Sequence, residues 1–156
     1  MTLIHLFRKP VTLRYPRERW EPPPRFRGLP VLIVDDEKND FACVACMACK
    51  NICPVQCIAI TPATDPETGK RTRSMAEFEL GGNLCMFCGL CVEACNFDAI
   101  AMSHRYELAS TDKQSIVYDK NALRQTLEEK AAWAPILAEI QREREAESRS
   151  GTRGQD

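Results

Sequence analysis

No apolar run in this 156-residue chain approaches the roughly 20 residues that a membrane-crossing helix needs. The first residues also lack the uninterrupted apolar stretch and cleavage site of a secretory signal. A mitochondrial transit sequence is no easier to find, because the early arginines are interleaved with proline and acids instead of lying on a serine-rich helix. These absences point to a chain that neither spans a membrane nor is secreted, with a bacterial cytoplasmic setting as the simplest expectation. Histidine is scarce, and the two present, His5 and His104, read as surface or packing residues. No nucleophile–base pair, phosphate loop or paired acidic motif stands out. The chain is therefore expected to have no substrate-converting active site of its own.

Cysteine, by contrast, is abundant. Nine residues make an odd complement for a disulfide framework, and their regular clustering reads as metal ligation in a reducing compartment. Cys43, Cys46, Cys49 and Cys53 recur as Cys85, Cys88, Cys91 and Cys95, each displaced by 42 positions. The same shift carries Ile58 onto Ile100, Ala59 onto Ala101 and Ile60 onto Met102. The middle of the chain is thus an internal repeat of one βαβ-like unit.

Cysteines at every third position can wrap one cubane cluster in a tight loop, and in two-cluster ferredoxins the last cysteine of each run crosses to the other cluster. On that pattern Cys43, Cys46, Cys49 and Cys95 bind one [4Fe–4S] cluster, and Cys85, Cys88, Cys91 and Cys53 bind the second. The crossing holds the two clusters close together, as single-electron transfer between them requires. Ile52, Ile58, Phe87, Leu90 and Ile100 are expected to keep water away. Structural zinc is the rival reading, but such sites usually set two ligand pairs a dozen or more residues apart. A purely structural pair of clusters is the other. Pro54 follows Cys53, whereas Asn96 occupies the matching place after Cys95, which removes no ligand. Cys57 falls opposite Ala99 in the repeat and is read as a small packing residue.

Outside the repeat the composition changes. Residues 1–28 carry seven Lys and Arg against two acids, residues 29–118 seven against twelve, and residues 119–156 seven against eight. The leading arm is basic and the cysteine region acidic. A basic arm suits an acidic protein groove or anionic lipid; no nucleic-acid motif accompanies it. Six of the ten prolines fall within residues 1–30, so the arm is predicted to be extended, with a short helix possible within Met1–Lys9. Helical turns are predicted around Met47–Ile52 and Leu90–Ala94, with short strands flanking each cysteine run. Between the repeats, Asp65-Pro66-Glu67-Thr68-Gly69 signals a turn in a loop, and Ala76–Leu80 alternates as a half-buried strand does. From Asp119 a helix is predicted with Leu123, Leu127, Ala131 and Ala134 on one side, broken by Pro135 and followed from about Gln141 by a frayed, charged tail.

Several segments resemble the ferredoxin-like, TYKY-type subunit (chain I) of respiratory complex I, the NADH:quinone oxidoreductase. They are Leu6-Phe-Arg-Lys-Pro-Val-Thr-Leu-Arg-Tyr-Pro16, Pro24-Arg-Phe-Arg-Gly-Leu-Pro30, both cysteine runs, and Tyr106-Glu-Leu-Ala-Ser-Thr-Asp112 leading to Val117-Tyr118. The cysteine runs are shared by many ferredoxins; the flanking segments are specific. The resemblance implies a peripheral-arm subunit, on the cytoplasmic side of the inner membrane, relaying electrons toward the terminal cluster and quinone. Its partners would be neighbouring Fe–S subunits and, through the N-terminal arm, the membrane domain. A related membrane-bound hydrogenase or formate-oxidising complex, or a free ferredoxin, is the alternative. The expected fold is α+β: a two-cluster, ferredoxin-like core with pseudo-two-fold repeat over residues 31–118, an extended Pro-rich arm over 1–30, and a C-terminal helix and tail over 119–156.

Overall fold

The main strand pairs of the chain form across the repeat. In the computed structural model, which describes residues 2–35, 40–125 and Arg142, a short helix α1 (Thr2–Leu6) opens the chain. Strands β1 (Pro30–Leu32), β2 (Val34–Asp35) and β3 (Asp40–Phe41) precede the first cysteine loop and its helix α2 (Ala48–Ile52). Strands β4 (Ile58–Thr64) and β5 (Arg71–Gly81) lead to the second loop with α3 (Leu90–Glu93), and β6 (Ile100–Met102) and β7 (Val117–Asp119) follow.

β6, which leaves the second cysteine loop, runs antiparallel to β1, which leads into the first, with Pro30 opposite Met102 and Leu32 opposite Ile100. β4, leaving the first loop, pairs in the same sense with β5, which enters the second, with Ile58 opposite Leu80. β7 adds to the outer edge of β5. Pro30 lacks a backbone N–H and sits at the first position of β1, where a strand tolerates it. Both sheets bury their inner faces in one core: Leu29, Leu32, Leu80 and Leu123 are each 1 % exposed, joined by Ile58, Ile60, Phe78 and Ile100. Each fully buried leucine contributes roughly 1.5–3 kcal/mol of transfer free energy.

Most of the segment predicted as a loop between the repeats is strand. β4 and β5 extend on both sides of the turn, and β4 absorbs the donorless Pro62 through register shifts around it. The turn itself lies where the sequence signalled it. The Asp65 carboxylate accepts from the Glu67 N–H at 3.0 Å and the Thr68 hydroxyl at 2.8 Å, and Gly69 supplies the left-handed residue at φ 65°.

The predicted C-terminal helix is not formed at its start. Residues 120–125 turn back on the core, where the Leu32 N–H donates to the Leu123 carbonyl at 2.7 Å and the Gln125 N–H donates to the Leu32 carbonyl at 2.9 Å. Leu123 is buried beside β1 instead of on a helix face, because β1 offers an unpaired edge that the returning chain satisfies. Leu127, Ala131, Ala134, Pro135 and the tail lie outside the described residues.

The arm divides into two stretches. Residues 19–28 pack on the core: Trp20, Phe26 and Tyr106 meet edge to face, the Tyr106 hydroxyl donates to the Trp20 carbonyl at 2.9 Å, and Arg19 pairs with Glu107 at 3.0 Å. His104 lies edge-on to Phe26, a packing role. Residues 3–15 instead leave Leu3, Leu6, Phe7 and Val11 more than two-thirds exposed. The junction with β1 is tight. A Cβ on Gly28 would stand 2.5 Å from the carbonyl oxygens of both Ser103 and Arg105, which themselves accept from the Gly28 and Leu29 N–H groups. Gly28→Ala must pry this ladder apart, at a cost of about 1–3 kcal/mol. We expect its urea midpoint, followed through cluster absorbance, to fall below that of the natural chain; an unchanged midpoint would show the junction to be looser than described.

Candidate metal centre

Each cysteine run folds as a loop whose backbone enters the left-handed region at fixed intervals. Ala45, Met47 and Gln56 have φ of 52°, 69° and 51°, and Phe87, Gly89 and Asp98, each 42 residues on, have 53°, 80° and 47°. For residues with a Cβ this conformation costs about 1 kcal/mol each, and its concentration here marks a loop shaped for its contents. One result is that N–H groups turn toward sulfur. The Ala45 N–H donates to Cys43 Sγ at 3.4 Å, and the Ala99 N–H donates to Cys95 Sγ at 3.3 Å. Phe87 donates likewise to Cys85, Lys50 to Cys49 and Val92 to Cys91. Cys53 accepts from the N–H groups of Cys57, Val55 and Gln56.

Two cavities gather these sulfurs. One, of about 300 Å³, is lined by Cys43, Cys46, Cys49 and Cys95, with Ile60, Ile100 and Phe97 in its wall. The other, of about 360 Å³, is lined by Cys85, Cys88, Cys91 and Cys53, with Ile58, Leu80 and Phe87 around them. Each cavity therefore collects three cysteines from one run and the last of the other. Cys57 lines the second cavity as well. Of the residues predicted to exclude water, Ile58 and Ile100 are buried. Ile52 is 46 % exposed, because the short helix α2 turns it outward, whereas Leu90, 37 % exposed, still lines the second cavity. Ile60 and Leu80 join the cavity walls, which the period-two alternation of β4 and β5 could have revealed.

Burial sets the ionisation of the thiols. It pushes Cys49 up to about 11, reinforced by the neighbouring Cys43 and Cys95. It pushes Cys91 up to about 12, reinforced by Cys85 and by Cys49 of the other run, so the two cavities adjoin. Burial also raises Cys43 and Cys85, against the N–H groups that lower them. At Cys53 burial acts upward too, but the Cys57 N–H, the Cys57 thiol at 3.5 Å and two further N–H groups outweigh it, and the pKa falls. Cys57 moves the other way, up to about 12, through burial and then through its bond to Cys53.

Two arginines to which the cysteine spacing does not point brace the loops from outside. Arg27, at the end of the arm, donates to the Cys88 carbonyl and lies 3.7 Å from Glu93. Arg71, at the start of β5, donates to the Ala45 carbonyl. The oxygens that accept these hydrogen bonds are both backbone carbonyls, which carry no signature in the sequence.

The donor set fits cubanes. Among the described residues no three His, Cys, Asp or Glu side chains converge tightly enough for a single metal ion. A cubane makes no such demand, since each thiolate meets a different iron corner around an apolar cavity.

The 4Fe-4S dicluster domain family matches residues 42–99. An NADH-quinone oxidoreductase subunit I 2 of Geobacter metallireducens is 42 % identical over 123 residues, covering 79 % of this chain and 90 % of that one. The chain belongs to the NADH-quinone oxidoreductase subunit I family. It carries two [4Fe–4S] clusters. Within subunit I, lengths differ: a relative from Symbiobacterium thermophilum, 40 % identical, covers 73 % of this chain, which spans 47 % of it. A solved chain from the membrane-bound sulfane sulfur reductase, an archaeal respiratory membrane complex, is 30 % identical with a TM-score of 0.51, covering 72 % of this chain and 54 % of that one. No helix among the described residues of this subunit I chain is long and apolar enough to cross a membrane.

The thiol shifts set an order of reactivity for the cluster-free chain, because the thiolate is the nucleophile. At neutral pH iodoacetamide should label Cys53 well before Cys91 and Cys57. A raised pKa keeps those two protonated until pH climbs toward 12, so the gap should close in alkali. Site-resolved mass spectrometry reads the order, and equal labelling of all three at pH 7 would contradict it.

Proposed function

We propose that this chain is the electron-relay subunit of an NADH:quinone oxidoreductase of the complex I type, passing single electrons toward the terminal cluster and quinone. Cys43, Cys46, Cys49 and Cys95 hold one cluster; Cys85, Cys88, Cys91 and Cys53 hold the other, the two runs being related by a pseudo-two-fold. The observation that carries the reading is the gathering of three cysteines from one run and the last of the other around each of two adjoining apolar cavities. When bound, each cluster takes up and releases one electron at a time. The protein's part is to fix both groups close together, donate N–H groups to their sulfurs and keep water out, all of which lowers the reorganisation that accompanies each transfer. A free ferredoxin would have no use for the exposed apolar and basic residues of the arm, and the curated relatives favour the NADH-linked complex over hydrogenase or formate-oxidising assemblies.

The organisation we infer is an arm over residues 1–30, a dicluster domain over 31–118, and an appendage over 119–156 whose first residues, to Gln125, join the core. Residues 3–15 of the arm, with exposed Leu3, Leu6, Phe7 and Val11 among Arg8, Lys9 and Arg14, dock the subunit peripherally against the membrane domain on its cytoplasmic side. Neighbouring Fe–S subunits contact the dicluster domain.

The anaerobically loaded natural chain should hold about eight irons, and Cys53→Ala about four, with NADH:quinone activity of the assembled complex lost and NADH oxidation by an artificial acceptor kept. Full iron content in Cys53→Ala would overturn the ligand assignment. Deleting residues 2–18 should leave the iron count intact while less of the subunit co-purifies with the membrane domain; undiminished recovery would rule out docking by the arm.

A further inference from the structure

We propose that the Cys57 thiol donates a hydrogen bond to the Cys53 sulfur and so raises the reduction potential of the cluster in that cavity above that of its twin. This rests on the ligation proposed above.

The two cavities are near copies. Their left-handed residues match one for one, and the donors to sulfur recur in the same places: Ala45 and Phe87, Lys50 and Val92, Cys57 and Ala99. The copy fails in the side chain of the last pair. At position 99 it is a methyl group, 1 % exposed, beside Cys95; at position 57 it is a thiol, 8 % exposed, whose sulfur stands 3.5 Å from Cys53 Sγ. The same thiol also faces Cys85. The larger cavity therefore has a side-chain hydrogen-bond donor, the Cys57 thiol, that the residues lining the smaller one do not supply.

Chemistry fixes which sulfur donates. A Cys53 sulfur bonded to iron has no proton to give and can only accept. Cys57 stands outside the ligand set, keeps its proton and is the donor. An electron added to the cluster puts more negative charge on the ligand sulfurs, so a hydrogen bond to one of them strengthens on reduction and favours the reduced form. No proton leaves Cys57; the electron lost by one cluster is gained by the other, and the added donor biases where it rests. Cys57 thus acts through Cys53, as a residue that positions charge and not as a ligand.

The experiment uses the full chain, with both clusters loaded anaerobically, titrated potentiometrically by EPR as the natural protein, Cys57→Ala and Cys57→Ser. All three should hold about eight irons. Cys57→Ala should lower one midpoint by up to about tenfold in the ratio of reduced to oxidised form, about 59 mV for one electron, and leave the other in place. Cys57→Ser, which keeps an O–H donor, should recover most of the shift. The proposal is overturned if Cys57→Ala moves neither midpoint, or if Cys57→Ser falls as far as Cys57→Ala. Loss of about four irons in Cys57→Ala, with all eight kept in Cys53→Ala, would overturn the ligand assignment itself and this inference with it.

Discussion

A cubane has to be grasped by four sulfurs, while a tight loop with cysteines at every third residue delivers three. In this chain the shortfall is met by geometry between the repeats. Each cavity draws its fourth cysteine from the other run, and the sheets follow suit, with β6 on β1 and β4 on β5. Strained left-handed residues, inward N–H groups and the arginine braces are all arranged around that requirement. Five of the six left-handed residues in the loops carry a Cβ and cost about 1 kcal/mol each. Binding of the metal is coupled to folding of such loops, as it is in other small metal-organised domains.

The burial that keeps the cavities apolar also makes them poor places for free thiolates. Cys49, Cys57 and Cys91 are all pushed well above the ordinary thiol range. Deprotonation of the ligands among them is coupled to arrival of the metal, which supplies the positive charge that the protein withholds. Cys53 is the exception, because four hydrogen bonds converge on its sulfur. Local hydrogen bonding there overrides burial, a reversal that no spacing rule expresses.

Much of the centre was legible in the sequence because cysteine spacing is nearly a geometric statement. The 42-residue displacement located the loops, the two helical turns and the places of Cys53 and Cys95, and Asp65–Gly69 announced its turn. What stayed hidden depended on backbone meeting backbone. Leu123 read as one face of a helix because its apolar neighbours recur at helical spacing, yet the unpaired edge of β1 captured it in a turn. Arg27 looked like one more charge on a basic arm, and only the folded chain brings it to the Cys88 carbonyl. Cys57 read as a small packing residue; its burial agrees, but its contact with Cys53 was not evident from a repeat that pairs it with alanine.

The strand exchange has a consequence for how the chain is made. β1 finds its partner some 70 residues later in β6, and the cavity around Cys43, Cys46 and Cys49 has no fourth cysteine until Cys95 arrives. A growing polypeptide emerging from the ribosome therefore cannot finish its first half first. Contacts so distant along the chain form slowly, and until they do, a basic arm and three reactive thiols stand open to solvent. Closure of the first cavity waits on the second run, so a nascent chain stalled before Cys95 has the cysteines of the second cavity but lacks the fourth sulfur of the first.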